Sequence, residues 1–238
     1  MKVLILASGI GKRLYPLTKG MPKPLVKIHG KEILRYQIEN LIECGLTDLL
    51  ITTGPFSNKI KEFVKKNYPE MHVSYIKNPK YESTNYIYSM WLTKKFIDDD
   101  IILLHSDLLF EKKLLEKIIN TDGNRVLVNK KIKPNEKDFK AVIENGRVVK
   151  IGVNFFGNNA FASFPLYKFF KKDFLLWINE CEKYIEKKEV EIYAEDILNM
   201  LSDSILLYPT YFYNEMCMEI DTRDDIKIAE TILEHKKT

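Results

Sequence analysis

The strongest constraint on what this chain can fold into is an alternation of two kinds of segment. Short apolar runs of strand length, Val3 to Ala7, Leu49 to Thr53, His72 to Ile76 and Ile101 to His105, are separated by stretches whose apolar residues recur about every 3.6 positions. Those stretches carry Ile33, Leu34, Ile38, Leu41 and Ile42 before a stop at Gly45, then Ile60, Phe63 and Val64, then Leu114, Leu115, Ile118 and Ile119. A strand that is apolar on both sides must be covered on both sides, and the intervening helices can do this. The first half therefore predicts an α/β chain with a mostly parallel sheet and helices on both faces.

The second half changes character. Val126 to Val128, Ala141 to Ile143 and Val148 to Ile151 read as strands, and Asn145-Gly146 sits between the latter two as a hairpin turn would. Helical patterns follow over about 165–188 and 193–202, then strand-like Ile205 to Tyr208 and a last helix over about 222–236. The expectation is a small antiparallel insertion and a helical lid added to the α/β core. With no internal repeat and no linker rich in Pro, Gly or Ser, residues 1–238 are expected to form a single domain.

Composition narrows the class further. Of 238 residues, 45% are apolar and 29% charged, enough for a sizeable core and unlike a disordered or fibrous chain. The net charge of +4 is spread along the sequence, short of the clustered basic stripe of a nucleic-acid binder. Cys44, Cys181 and Cys217 are odd in number and far apart, which implies neither a disulfide framework nor a zinc set and fits a reducing compartment. The apolar run after Lys2 is interrupted at Ser8 and Gly9, too soon for a signal peptide, and no stretch approaches membrane-helix length. A soluble cytoplasmic protein with no membrane or nucleic-acid partner is expected, as a monomer or homodimer.

The loop after the first strand carries the chemistry. Residues 6–25 read LASGIGKRLYPLTKGMPKPL. Ser8, Gly9, Gly11, Lys12 and Arg13 follow a buried strand, and glycines there leave backbone N–H groups open to cradle phosphates. The Walker pattern is absent, because Lys12 is followed by Arg13 and the upstream glycine spacing fails; the dinucleotide fingerprint fails at Leu14. Lys23 lies between Pro22 and Pro24, whose restricted backbone aims its ammonium at a fixed point. Asp107 follows a strand, at the carboxyl edge where open α/β sheets bind ligands. Asp221 precedes a helix, where an N-cap would account for it and Thr222 competes for that role. His105 reads as packed in its strand.

The string L-A-x-G-x-G-x-R-L-x-P-L-T-x-x-x-P-K-P-L resembles the nucleotidyltransferase family that activates sugar 1-phosphates and related phosphoesters, which has a Rossmann-like fold. The resemblance implies a nucleotide-binding half over residues 1–125 and an acceptor-binding half over 126–238. It implies that Leu6, Ala7, Ser8, Gly9, Gly11, Lys12 and Arg13 hold the triphosphate, that Lys23 and Arg13 are catalytic, and that Asp107 and Asp221 share one Mg²⁺. Two carboxylates with nucleotide oxygens and water suit that hard cation.

Residues 81–92 resemble the phosphocholine cytidylyltransferase branch, which implies CTP, with Thr84, Asn85 and Ser89 at the nucleotide. Ser83 or Thr84 could equally cap a helix there. Glu191, Tyr193, Glu195 and Asp196 resemble the acceptor-gripping segment of that branch, although an exposed helix start explains the acids as well. Trp91 and Trp177 fall on apolar helix faces and Ala194 stands where a large ring would cage a quaternary ammonium. The acids point to a phosphorylated amine such as phosphoglutamine or aminoethylphosphonate, and the branch resemblance adds phosphocholine. The expected reaction is transfer of CMP from CTP to that acceptor with release of pyrophosphate. A hexose-1-phosphate thymidylyl- or uridylyltransferase and a non-catalytic nucleotide-binding subunit are the alternatives.

Overall fold

A computed structural model describes residues 1–236. In chain order the elements are β1 (Lys2–Ala7), β2 (Lys27–Ile28), β3 (Lys31–Glu32), α1 (Ile33–Glu43), β4 (Asp48–Thr53), α2 (Ser57–Asn67), β5 (His72–Lys77), α3 (Tyr86–Trp91), β6 (Ile101–His105), β7 (Leu108–Phe110) and α4 (Lys112–Ile119). They continue with β8 (Asn124–Asn129), β9 (Lys140–Glu144), β10 (Arg147–Gly152), β11 (Ala160–Phe169), α5 (Lys171–Glu186), α6 (Ala194–Met200), β12 (Leu207–Phe212), β13 (Cys217–Glu219) and α7 (Arg223–His235).

One nine-stranded sheet has the order β5-β4-β1-β6-β11-β8-β12-β10-β9. Its β5-β4-β1-β6 arm is parallel, as the strand–helix alternation requires. Beyond β6 the sheet is mixed: β11 is antiparallel to β6 and β8, β12 is parallel to β8, and the β9–β10 hairpin turns at Asn145-Gly146. The hairpin is therefore an extension of the main sheet, with β10 paired to β12 and β9 to β11.

Alternate residues of β1 feed two cores, Leu4 and Leu6 on one face and Val3, Ile5 and Ala7 on the other. Helices α3, α5 and α6 pack on the first face, and α1, α2 and α4 on the second. A third cluster, Leu14, Val26, Ile28, Ile33, Leu109, Met216, Ile220 and Ala229, ties the loop after β1 to α1, to the β7–β13 ribbon and to α7. Burying each such aliphatic side chain stabilises by roughly 1.5 to 3 kcal/mol.

Two boundaries differ from the expectation: the strand expected over Ile205 to Tyr208 is β12, Leu207–Phe212, and the start of α5 shifts. Residues 165–169 read as the start of a helix but complete the ten-residue strand β11, and α5 begins only at Lys171. Tyr167 and Phe169 on β11 join Phe174 and Trp177 on α5 in one aromatic cluster, so their spacing imitated a helical face across a strand–helix junction. Pro165 is tolerated because the β8 register shifts between Phe164 and Tyr167, an irregularity where a missing N–H costs little. No helix among the described residues is long and apolar enough to cross a membrane.

Candidate active site

The loop after β1 is held open by two close approaches. Gly11 has φ of 72°, and a Cβ there would meet Lys23 Cβ and Thr18 Cγ2 at 3.3 Å. Gly54, after β4, leaves no room for any side chain, since a Cβ would stand 2.2 Å from the Ser8 carbonyl oxygen. Thr18 Oγ1 donates to Gly11 O at 2.7 Å, and buried Leu14 anchors the following turn.

Two aspartates 114 positions apart in sequence meet because β7 and β13 pair. Leu108 lies opposite Glu219, and the Ile220 N–H donates to Asp107 O at 2.9 Å. From α1, the buried amide of Gln37 donates to His105 O at 2.9 Å and Leu108 O at 2.7 Å, pinning the β6–β7 turn that carries Asp107. Asp221 is not the N-cap of α7. Thr222 takes that role, reciprocally bonded with Asp225, whose carboxylate also accepts the Asp221 N–H. The Asp221 side chain is thereby free to face the cleft.

Lys23 completes the cluster. Only 9% exposed, it donates through Nζ to Asp107 Oδ2 at 2.5 Å and to Asp221 Oδ1, while Arg13 Nη1 lies 2.8 Å from Asp221 Oδ2. Burial pushes the Lys23 ammonium down, but Asp107 and Asp221 outweigh it and hold the group above the ordinary lysine value. Burial raises the Asp107 carboxyl, yet Lys23, followed by His105, offsets this and holds it below the usual range. Glu219 goes the other way, pushed up to about 8 by burial and by the Asp107 and Asp221 charges.

A cleft of about 340 Å³ contains Leu6, Ser8, Gly9, Gly11, Lys12, Arg13, Lys23, Thr84, Asn85, Ser89, Asp107 and Asp221. These are all the expected nucleotide and metal residues except Ala7, which sits inside β1 with its N–H on Thr52 Oγ1. At the far end buried Asn78 donates to Ser89 Oγ at 2.9 Å and Thr84 Oγ1 at 3.2 Å. Asn85, and neither Ser83 nor Thr84, is the N-cap of α3, accepting from Tyr86 N at 2.7 Å. Asn78 was missed in the sequence, although its place after β5 repeats the strand-end position of Asp107.

A second cleft of about 430 Å³ shares Arg13, Asn85, Tyr86, His105, Asp107 and Asp221 with the first and extends to Lys137, Phe139, Tyr167, Tyr193, Glu195 and Glu219. Glu195 is 1% exposed and accepts from the hydroxyls of Tyr86 and, at 3.0 Å, Tyr167. Burial first, and Glu195 second, push both tyrosines well above their ordinary values. Tyr193 stands edge-on to Phe139, with centroids 5.0 Å apart. Glu191 and Asp196 do not line this cleft: the Glu191 carbonyl accepts from Asn85, and the Asp196 carboxylate caps α6 at the Tyr193 N–H. Tyr86, Tyr167 and Phe139 carry no motif, and only the fold brings them to Glu195.

The donors also suit a divalent cation. Asp107 Oδ1 and His105 Nε2 are buried without a hydrogen-bond partner among the described residues. Beside Asp107 and Asp221, Glu219 presents a third carboxylate to the same space.

A family model described as nucleotidyl transferase matches residues 2–147. The chain is 30% identical over 159 residues to the CTP:phosphoglutamine cytidylyltransferase of Campylobacter jejuni, covering 63% of this chain and 62% of that one. It is 29% identical over 234 residues to the bifunctional IPC transferase and DIPP synthase of Aquifex aeolicus, covering 97% of this chain and 51% of that one. The chain thus spans between half and two thirds of the length of these curated relatives. The structure of the CTP:phosphocholine cytidylyltransferase of Streptococcus pneumoniae superposes with a TM-score of 0.79 at 22% identity, covering 98% of both chains. That likeness shows the same mixed α/β fold.

Proposed function

Because the chain belongs to the nucleotidyl transferase family, we propose that it transfers CMP from CTP to a small phosphorylated amine, releasing pyrophosphate. The observation that carries this reading is the meeting of Lys23, Asp107 and Asp221 beside an open glycine loop in a single cleft.

The step is an in-line displacement. An oxygen of the acceptor phosphate attacks the α-phosphorus of CTP, and the bond from that phosphorus to the bridging oxygen of the β-phosphate breaks. A phosphate monoester has its second pKa near 6, so the attacking oxygen is already anionic at neutral pH and needs no side-chain base. Lys23 stabilises the charge that builds on the α-phosphate, and Arg13 with the loop amides receives the pyrophosphate. Asp107 and Asp221 would hold Mg²⁺, which when bound neutralises phosphate charge. Thr84, Asn85 and Ser89, which line the same cleft, would take the base and ribose.

The acceptor side supports the amine. Glu195 is buried among Tyr86, Tyr167 and Tyr193, and a buried carboxylate ringed by aromatic groups suits an ammonium better than a sugar ring. One curated relative named above, a phosphoglutamine cytidylyltransferase, supports the same acceptor class. The test is pyrophosphate release from CTP, UTP and dTTP, each with phosphoglutamine, aminoethylphosphonate, phosphocholine and hexose 1-phosphates. The reading expects CTP with one phosphorylated amine to lead. Turnover only with a hexose 1-phosphate, or none with Mg²⁺ present, refutes it.

A further inference from the structure

The β6–β7 turn and β13 place His105, Asp107 and Glu219 with one potential ligand atom each, all within 4.8 Å of one another. Two further observations distinguish this group from an ordinary acidic patch. His105 Nε2 and Asp107 Oδ1 are shielded from solvent and unpartnered among the described residues. An orphaned imidazole nitrogen and an orphaned carboxylate oxygen are each costly to bury, and a shared cation would satisfy both.

The pairing within the cluster is also incomplete. Lys23 and Arg13 pair with Asp107 and Asp221, which leaves the Glu219 carboxylate with no hydrogen bond or salt bridge among the described residues. The Glu219 carboxylate and Asp107 Oδ1 are thus acidic ligand groups that no side-chain cation occupies. The His105 ring is held by an edge contact with Tyr86, at a centroid distance of 4.9 Å. The tyrosine hydroxyl is in turn fixed on Glu195. The Tyr86 side of the ring is therefore fixed before any ion arrives.

We infer that His105, Asp107 and Glu219 form a ligand set for a borderline first-row transition cation, a set beyond the oxygen pair Asp107 and Asp221. Magnesium takes oxygen ligands, whereas an imidazole favours cations further along the transition series. The chain then binds a cation such as Co²⁺ more tightly than Mg²⁺, with His105 as the cause of the difference. Binding is independent of the proposed transfer reaction, although the cation's use in turnover rests on that reading.

The experiment uses the intact chain without nucleotide, titrated with Co²⁺ or Mg²⁺ alone. The expected results are Co²⁺ affinity at least tenfold above that for Mg²⁺, a visible absorption band, and paramagnetic shifts at His105 before the other three histidines. His105→Gln, checked for folding, should lose at least tenfold in Co²⁺ affinity while Mg²⁺ affinity stays within threefold. Equal Co²⁺ affinity in the variant overturns the inference. Unshifted His105 signals in the wild type, or equal shifts at all four histidines, overturn it without any variant. A cobalt site seen at His105 in a protein that transfers no CMP would sink the proposed function and leave this inference standing.

Discussion

Replacing Lys23 by methionine removes the ammonium and keeps most of the apolar stem, so its two consequences can be measured apart. The first concerns rate. A preorganised donor to developing charge is worth about 3 to 4 kcal/mol, so turnover should fall roughly 10²- to 10³-fold. The second concerns stability, because Lys23 is the buried partner of Asp107 and Asp221. Removing one member of a fully buried pair costs about 3 to 5 kcal/mol. Here the two carboxylate side chains keep 20% and 25% exposure, and Arg13 stays on Asp221. Screening and that remaining partner reduce the loss to about 1 to 2 kcal/mol. For a chain of this size that lowers the Tm by roughly 2 to 8 °C. The sign with pH follows from Asp107, whose carboxyl is held below its ordinary value in the folded state. Its contribution is complete above the ordinary carboxylate range and disappears as the pH falls through the depressed value. Lys23, held above its ordinary value, contributes fully at neutral pH. The Tm gap between wild type and variant should therefore be widest near neutrality and narrow in acid. Pyrophosphate release measures the first effect and thermal unfolding across the acid-to-neutral range the second. A turnover loss under tenfold in a folded variant rejects the catalytic role, and a Tm gap that ignores acid rejects the electrostatic account.

Glu195→Gln should raise the acceptor KM at least tenfold and leave the CTP KM unchanged, since Glu195 lies in the second cleft; a matching rise in both constants contradicts that division. Gly54→Ala forces a Cβ against the Ser8 carbonyl 2.2 Å away, so CTP binding, followed by calorimetry, should weaken at least tenfold as the loop shifts. Unaltered affinity would show that this close approach does not set the loop. Chelating divalent cations should abolish transfer and added Mg²⁺ restore it, and transfer that persists in chelator disproves the metal requirement.

The parallel arm of the sheet was legible because its strands are apolar on both sides and its helices keep a clear period. Residues 6–25 are distinctive because glycines, prolines and a basic pair recur at fixed spacing, but the family resemblance, and not that spacing, implies their roles. Asp107 was readable from its place after a strand. The role of Asp221 against capping was not, because that depended on whether Thr222 and Asp225 would close a capping box between themselves. The start of α5 was misread because Tyr167 and Phe169 on a strand continue the aromatic spacing of the helix after them. The Glu195 environment was out of reach for a different reason: Tyr86 lies 109 positions away and Tyr167 lies 28 away, so the fold alone brings them together. His105 looked like strand packing, and only the register of β7 against β13 brings Glu219 beside it.

The central claim is that the loop after β1, Lys23 and the two aspartates surround one triphosphate. A crystal structure with CTP and Mg²⁺ tests it most directly. The account predicts the triphosphate over residues 8–13, the α-phosphate in reach of Lys23 and the metal, and the base against Thr84, Asn85 and Ser89. A triphosphate bound elsewhere, or a Lys23 ammonium turned away from the α-phosphate, would contradict it.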